Sequence, residues 1–169
     1  TTDQILEEDY DYKGSRDIIY GAEEFDNFEL YVEWNIPKGG NSGIFYHLKE
    51  GYDGPPVVAP EYQLLDDENY AEIHNYELKD WQLTASDYAM YVPDTAQKVL
   101  YPPGQWNSSR IVFTQENVEH WLNGKKVLSF VPWSEDWYTR RNSGKWNNAP
   151  DYGKYKTGYV GFQDLGSNL

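Results

Sequence analysis

Phe28-Glu29-Leu30-Tyr31-Val32-Glu33-Trp34-Asn35-Ile36 sets the period of this chain. Successive side chains of an extended backbone point to opposite faces. Phe28, Leu30, Val32, Trp34 and Ile36 therefore share one face, and Glu29, Tyr31, Glu33 and Asn35 the other. This alternation marks a half-buried strand, and Pro37-Lys38-Gly39-Gly40 ends it with turn chemistry. Working outward, 41–48, 60–67, 87–92, 109–114 and 157–164 read as further strands, with a short one at 17–20. Val118-Glu119-His120-Trp121-Leu122, then Asn123-Gly124, then 125–131 reads as a hairpin. Asn-Gly supplies two residues that tolerate φ > 0, as a two-residue hairpin turn requires. The segments 68–84 and 132–156 read as long irregular excursions, the first with a short helical turn. No amphipathic helix pattern and no internal repeat is present. Short strands with turns every ten residues or so predict an all-β sandwich or barrel.

The 169 residues suit one domain, and the acidic start, 1–13, is expected to be loosely held. The net charge of −14 argues against nucleic acid and anionic membrane surfaces, which both demand basic patches. No stretch is long and apolar enough to span a bilayer as a helix. With no cysteine there is neither a disulfide framework nor thiolate chemistry. Aromatic residues make up 17% of the chain, enough to serve a core and still offer flat faces to a ligand.

One strand carries unusual polarity. In Pro60-Glu61-Tyr62-Gln63-Leu64-Leu65-Asp66-Asp67, Glu61 and Gln63 share a face while Tyr62 and Leu64 take the other. A carboxylate beside an amide in mid-strand can grip or deprotonate a polar ligand. Solvated polar residues on an outer sheet face are the plainer reading. His47, His74 and His120 are far apart, and His120 alternates with Val118 and Leu122 as a core histidine would. There is no phosphate-binding glycine loop, zinc spacing or nucleophile elbow.

Seven motifs then fall in one order: Asn41-Ser42-Gly43-Ile44-Phe45, Glu61-Tyr62-Gln63-Leu64-Leu65-Asp66, Ala89-Met90-Tyr91, Pro103-Gly104-Gln105-Trp106-Asn107, Leu122-Asn123-Gly124, Gly144-Lys145-Trp146 and Gly158-Tyr159-Val160-Gly161-Phe162-Gln163-Asp164. In this they resemble the 3-keto-disaccharide hydrolase family over about 25–166. The resemblance implies a concanavalin A-like β-jelly roll of two curved antiparallel sheets, forming one domain over 1–169 that lacks its outermost terminal strands. It implies a carbohydrate partner, a glycoside oxidised at C3, and a bacterial periplasmic, secreted or cell-surface location. The chain departs from the family pattern at His47, where arginine is usual, and at Leu165, where histidine is usual.

A carbonyl at C3 acidifies the C2 proton, so a base can remove it and the C1 substituent can leave by elimination. That chemistry needs a base, an acid for the leaving oxygen, and a group to hold the enediolate oxygen. Glu61 is the expected base. Lys145 or a bound divalent metal ion would hold the oxyanion, and His47 or Asp164 would act as acid. Tyr46, Trp106 and Trp146 are stacking candidates, and Asn41, Gln63, Tyr91 and Gln163 complete the expected binding set. An ordinary two-carboxylate glycosidase would pair Glu61 with Asp66, which requires a bulge between them. A non-catalytic carbohydrate-binding module would use the same fold and the same aromatics.

Overall fold

The computed structural model describes residues 17–165, so the expectations for 1–13 and for the terminal strands lie outside the described residues. Eight strands form two sheets. They are β1 (Ile18–Phe25), β2 (Phe28–Trp34), β3 (Asn41–Leu48), β4 (Glu61–Leu65), β5 (Asn107–Phe113), β6 (Val118–Leu122), β7 (Lys125–Phe130) and β8 (Gly158–Phe162). The first sheet runs β1-β8-β3-β4 and the second β2-β5-β6-β7, all paired antiparallel. The molecule is the expected β-jelly-roll sandwich.

Alternation puts the core between the sheets. Ile44, Tyr46, Tyr62, Leu64 and Val160 come from the first sheet, and Trp34, Ile111, Phe113, Val118, Leu122, Val127 and Phe130 from the second. Burying each such side chain contributes about 1.5–3 kcal/mol, which is what pins the register. The β6–β7 turn has Asn123 at φ 47 and Gly124 at φ 77, as the Asn-Gly signal requires. The Asn123 side chain also accepts from Ser108 N at 2.8 Å and donates to Val99 O at 2.9 Å, tying the turn to the loop before β5.

Three segments differ from the sequence expectation. β1 extends to Phe25 because β8 lies beside it as a pairing partner, which local sequence does not reveal. The excursion 132–156 contains a helix, α2 (Glu135–Ser143). Its signals are a Ser134 cap accepting from Trp137 N, acids in the first turn, and Arg140 and Arg141 in the last. Its apolar face is reduced to Trp137, so no helical stripe was visible. The segment 87–92 is not a strand: Asp87 makes isolated bridges to Tyr62 and Tyr91 around a tight turn, with Ala85 and Ala89 at positive φ. Residues 85–88 nonetheless hydrogen-bond along the free edge of β4, through Ala85 N to Gln63 O at 2.9 Å, Gln63 N to Ser86 O at 3.2 Å and Tyr88 N to Glu61 O at 2.9 Å. This cover occupies the edge that would otherwise stay unpaired. The short helical turn in the other excursion is α1 (Tyr70–Ile73).

Candidate functional site

The side of β4 that carries Glu61 and Gln63 is the outer face of the first sheet. Cross-strand pairing places Phe45 opposite Glu61, Gly43 opposite Gln63 and Asn41 opposite Leu65. Gly161 pairs with Phe45, and Ile19 with Gly161, so β8 and β1 continue the same face. Gln163 joins β3 through its N–H to Gly43 O at 2.8 Å. Asp17 lies beside it, its Oδ1 accepting from Asp164 N at 3.1 Å. Phe45, Leu48, Val58 and Ala59 form an apolar cluster with Tyr52, Tyr155 and Tyr159 that closes one end.

Glu61 is 4% exposed and lies toward the bare backbone of Gly43. Among the described residues no side-chain donor reaches its carboxylate. Burial is the main force on its pKa, raising it from 4.5 to about 8. The Lys145 charge opposes that rise, and the charges of Asp17 and Asp87 add to it. Such a carboxyl titrates near neutral pH, where it can take up or release a proton in turnover. Asn41 Oδ1 is buried with no partner among the described residues. Gln63 is 4% exposed, its Oε1 accepting only the 3.2 Å bond from Leu64 N. These amide atoms make a polar floor beside the carboxyl.

Lys145 reaches this face through an anchored turn. A 3-10 turn, Lys145–Asn148, follows α2, and Trp146 Nε1 donates to Tyr88 O at 3.2 Å. Trp146 also stacks on Tyr152 at 4.3 Å between ring centroids. Lys145 Nζ donates to Tyr88 Oη at 3.2 Å and lies 4.3 Å from the centre of that ring. Tyr88 thus carries the lysine next to the strand that bears Glu61.

The structure therefore gathers Glu61, Gln63, Asn41 and Gln163 on one face, with Lys145 and Asp164 at its margins. The other expected residues lie elsewhere. His47 occupies a bulge between Phe45 and Leu48, with φ 52, and its ring turns into the core 4.3 Å from Phe113. Its Nε2 donates to Asp26 O at 2.8 Å, and burial pushes its pKa down. Tyr46 is fully buried, donating to Asp87 Oδ1 at 3.1 Å. Tyr91 donates to Asp136 Oδ2 at 2.8 Å and stacks on Phe130. Trp146 is a buried anchor, and Trp106 is 67% exposed on the loop before β5. Asp66 follows β4 without a bulge and caps the turn beyond it, accepting from Gly39 N at 2.8 Å and Asn69 Nδ2 at 3.0 Å. Those contacts leave it no part in a pair with Glu61.

Sequence reasoning missed Asp17 and Tyr88. Asp17 becomes a neighbour only when β1 pairs with β8, and Tyr88 only when the 85–88 segment covers β4. No local signal marks either. Among the described residues no group of three or more His, Asp or Glu side chains gathers as a metal site.

A sequence model of the 3-keto-alpha-glucoside-1,2-lyase-like domain matches residues 1–169. A 3-keto-disaccharide hydrolase of Bacteroides thetaiotaomicron is 34% identical over 173 residues, covering 90% of this chain; the chain spans 58% of that protein's length. A solved candidate glycosyl hydrolase from Parabacteroides distasonis is 49% identical with a TM-score of 0.83, over 92% of this chain and 71% of that one. The carbohydrate binding module CBM66 of Bacillus subtilis shares the fold at 8% identity and a TM-score of 0.53, over 91% of this chain and 76% of that module. The motifs that run from Asn41 to Asp164 and the full-length match agree: the chain belongs to the 3-keto-alpha-glucoside-1,2-lyase-like domain family.

Proposed function

We propose that the outer face of the first sheet binds a glycoside oxidised at C3 and cleaves it by elimination and hydration, with Glu61 as the base. The observation that carries this reading is a buried carboxyl titrating at about 8 on the face where the buried Asn41 Oδ1 has no partner among the described residues. Glu61 takes the C2 proton, and the electron pair moves toward the C3 carbonyl oxygen. The Lys145 ammonium, held by Tyr88, stabilises the negative charge that grows there. The C1–O bond then breaks, and the leaving oxygen takes a proton from Asp17, whose pKa is raised chiefly by burial, with the Asp164 charge adding to it. Water adds at C1 of the resulting C1=C2 double bond, giving its proton to the Asp17 carboxylate, and C2 regains a proton from Glu61. Asn41, Gln63 and Gln163 supply hydrogen bonds to sugar hydroxyls. The names of the family's relatives support a carbohydrate substrate. Among the described residues no helix is long and apolar enough to cross a membrane.

The test is release of the leaving group from a chromogenic glucoside and from its 3-keto form. Cleavage of the keto form alone, abolished by Glu61→Gln, is the expected result. Turnover that survives Glu61→Gln overturns the assignment. A second reading rests on the same pKa: a carboxyl that keeps its proton at neutral pH can donate a hydrogen bond to a sugar without doing chemistry. A non-catalytic binding module of that kind would bind the sugar equally well as Glu61→Gln and turn over neither substrate.

A further inference from the structure

The Tyr88 hydroxyl has a hydrogen to give and no acceptor for it among the described residues. A phenol carries one donor hydrogen and two acceptor lone pairs. Lys145 Nζ donates to Tyr88 Oη from 3.2 Å, and Gln82 Nε2 from 3.5 Å. An ammonium accepts nothing, so the Lys145 bond runs in that direction alone. The direction of the Gln82 bond is fixed by the backbone. Gln82 is 7% exposed, and Lys79 N donates to its Oε1 at 3.0 Å, which turns the amide NH2 toward Tyr76 and Tyr88. Donors therefore fill both lone pairs of Tyr88 Oη, and its own hydrogen is left to point elsewhere.

That hydroxyl is held beside the Glu61 face. Tyr88 N donates to Glu61 O at 2.9 Å, Tyr88 O accepts from Trp146 Nε1 at 3.2 Å, and the ring meets Trp81 edge-on at 5.3 Å between centroids. Tyr88 is half-buried, so a ligand on this face can reach it. The bonded Lys145 is close enough to act on the Glu61 charge. We propose that Tyr88 is a second donor to the C3 oxygen of the substrate, acting with the Lys145 ammonium, and that Gln82 is a positioning residue that aims the Tyr88 O–H. The inference rests on the reading of the Glu61 face as the site of a 3-keto sugar. The proton stays on the phenol throughout. Its hydrogen bond strengthens as charge moves from the C2–H bond onto the C3 oxygen, so it favours the enediolate over the ketone. Lys145 spends one of its three hydrogens on Tyr88 and keeps two for the same oxygen.

The test uses 3-keto-1,5-anhydroglucitol, which has no glycosidic leaving group, labelled with carbon-13 at C3. Hydrogen bonds to a carbonyl move its carbon resonance downfield, and the sugar bound to the intact chain is expected to show that shift. Tyr88→Phe keeps the ring and its backbone bonds and removes only the hydroxyl. It is expected to return the signal toward that of free sugar and to lower kcat on a 3-keto-glucoside about 10²-fold, with KM held within about twofold. Gln82→Glu keeps the shape of the side chain, but its new carboxylate accepts where the amide donated and draws the Tyr88 hydrogen away from the ligand. It is expected to lose the downfield shift too, with the Lys145 bond to Tyr88 still in place. A kcat loss in Tyr88→Phe with the shift unchanged overturns the proposal, because the hydroxyl then only anchors Lys145. A parent chain that shows no downfield signal overturns it as well, and a shift that survives Gln82→Glu overturns the role of Gln82. A shift that Tyr88→Phe abolishes, in a parent that turns over no 3-keto-glycoside, upholds Tyr88 as the carbonyl donor and removes only the Glu61 chemistry.

Discussion

Gly43 and Glu61 occupy one space on the outer face of the first sheet. A Cβ on Gly43 would lie 2.0 Å from Glu61 Oε1 and 2.7 Å from its Cδ. The glycine is required here by close approach, since its φ is outside the left-handed region. Gly43→Ala is expected to keep the sheet register while moving the Glu61 carboxyl off its place. A displacement of about 1 Å at a reacting group costs on the order of 10²-fold in rate. Steady-state turnover of a 3-keto-glucoside, beside an unchanged far-ultraviolet dichroism spectrum, checks this. Unchanged turnover would show that the Glu61 position is not used.

Folding moves the Glu61 pKa from 4.5 up to about 8. Between those values the folded chain holds a proton that the unfolded chain has lost, so stability falls as pH rises through the window. Glu61→Gln removes this dependence. Near pH 8.5 the variant is expected to be more stable than the parent, on the order of 2–4 kcal/mol, with the difference fading toward pH 4.5. Denaturant melts across that range measure it. Asp87, moved from 3.8 to about 8 by burial, keeps a similar slope in the variant.

Lys145 holds the Glu61 pKa lower than burial alone would set it. Lys145→Met is therefore expected to raise that pKa. The rising limb of turnover against pH, which reports the base losing its proton, should move to higher pH. A drop in rate also follows where the ammonium supports the enediolate oxygen, about 10²-fold for one such donor. Rates measured across the limb separate the two effects. A limb that stays in place would detach Lys145 from Glu61.

Asn123 is the fastener of the β6–β7 hairpin. Its side chain accepts from Ser108 N at 2.8 Å and donates to Val99 O at 2.9 Å and Asn107 Oδ1 at 2.7 Å, at a φ of 47. Asn123→Ala loses these bonds and adds strain at positive φ, costing about 2–3 kcal/mol. A fall in Tm of about 4–10 °C by calorimetry is expected. The Glu61 face lies on the other sheet, so turnover below the melt should hold.

Much of the fold was legible residue by residue. The alternation in 28–36, the Asn123-Gly124 turn and the polar pair Glu61 and Gln63 are local features, written in the order of side chains along an extended backbone. They determined two things without any structure: a sheet protein, and a strand whose two faces differ in chemistry. The resemblance carried by the motifs added the family.

Tertiary structure alone decided which of the marked residues share a site. His47 is an expected acid, yet a bulge turns it into the aromatic core against Phe113. Asp17 and Tyr88 looked incidental, yet strand pairing and an edge-covering turn bring them beside the Glu61 face. The Glu61 pKa has the same origin. Burial beneath neighbouring elements, with the opposing pulls of Lys145 and Asp17, sets it near 8. Period and turn chemistry are properties of neighbours in sequence, whereas desolvation and charge coupling are properties of neighbours in space, and only folding defines those.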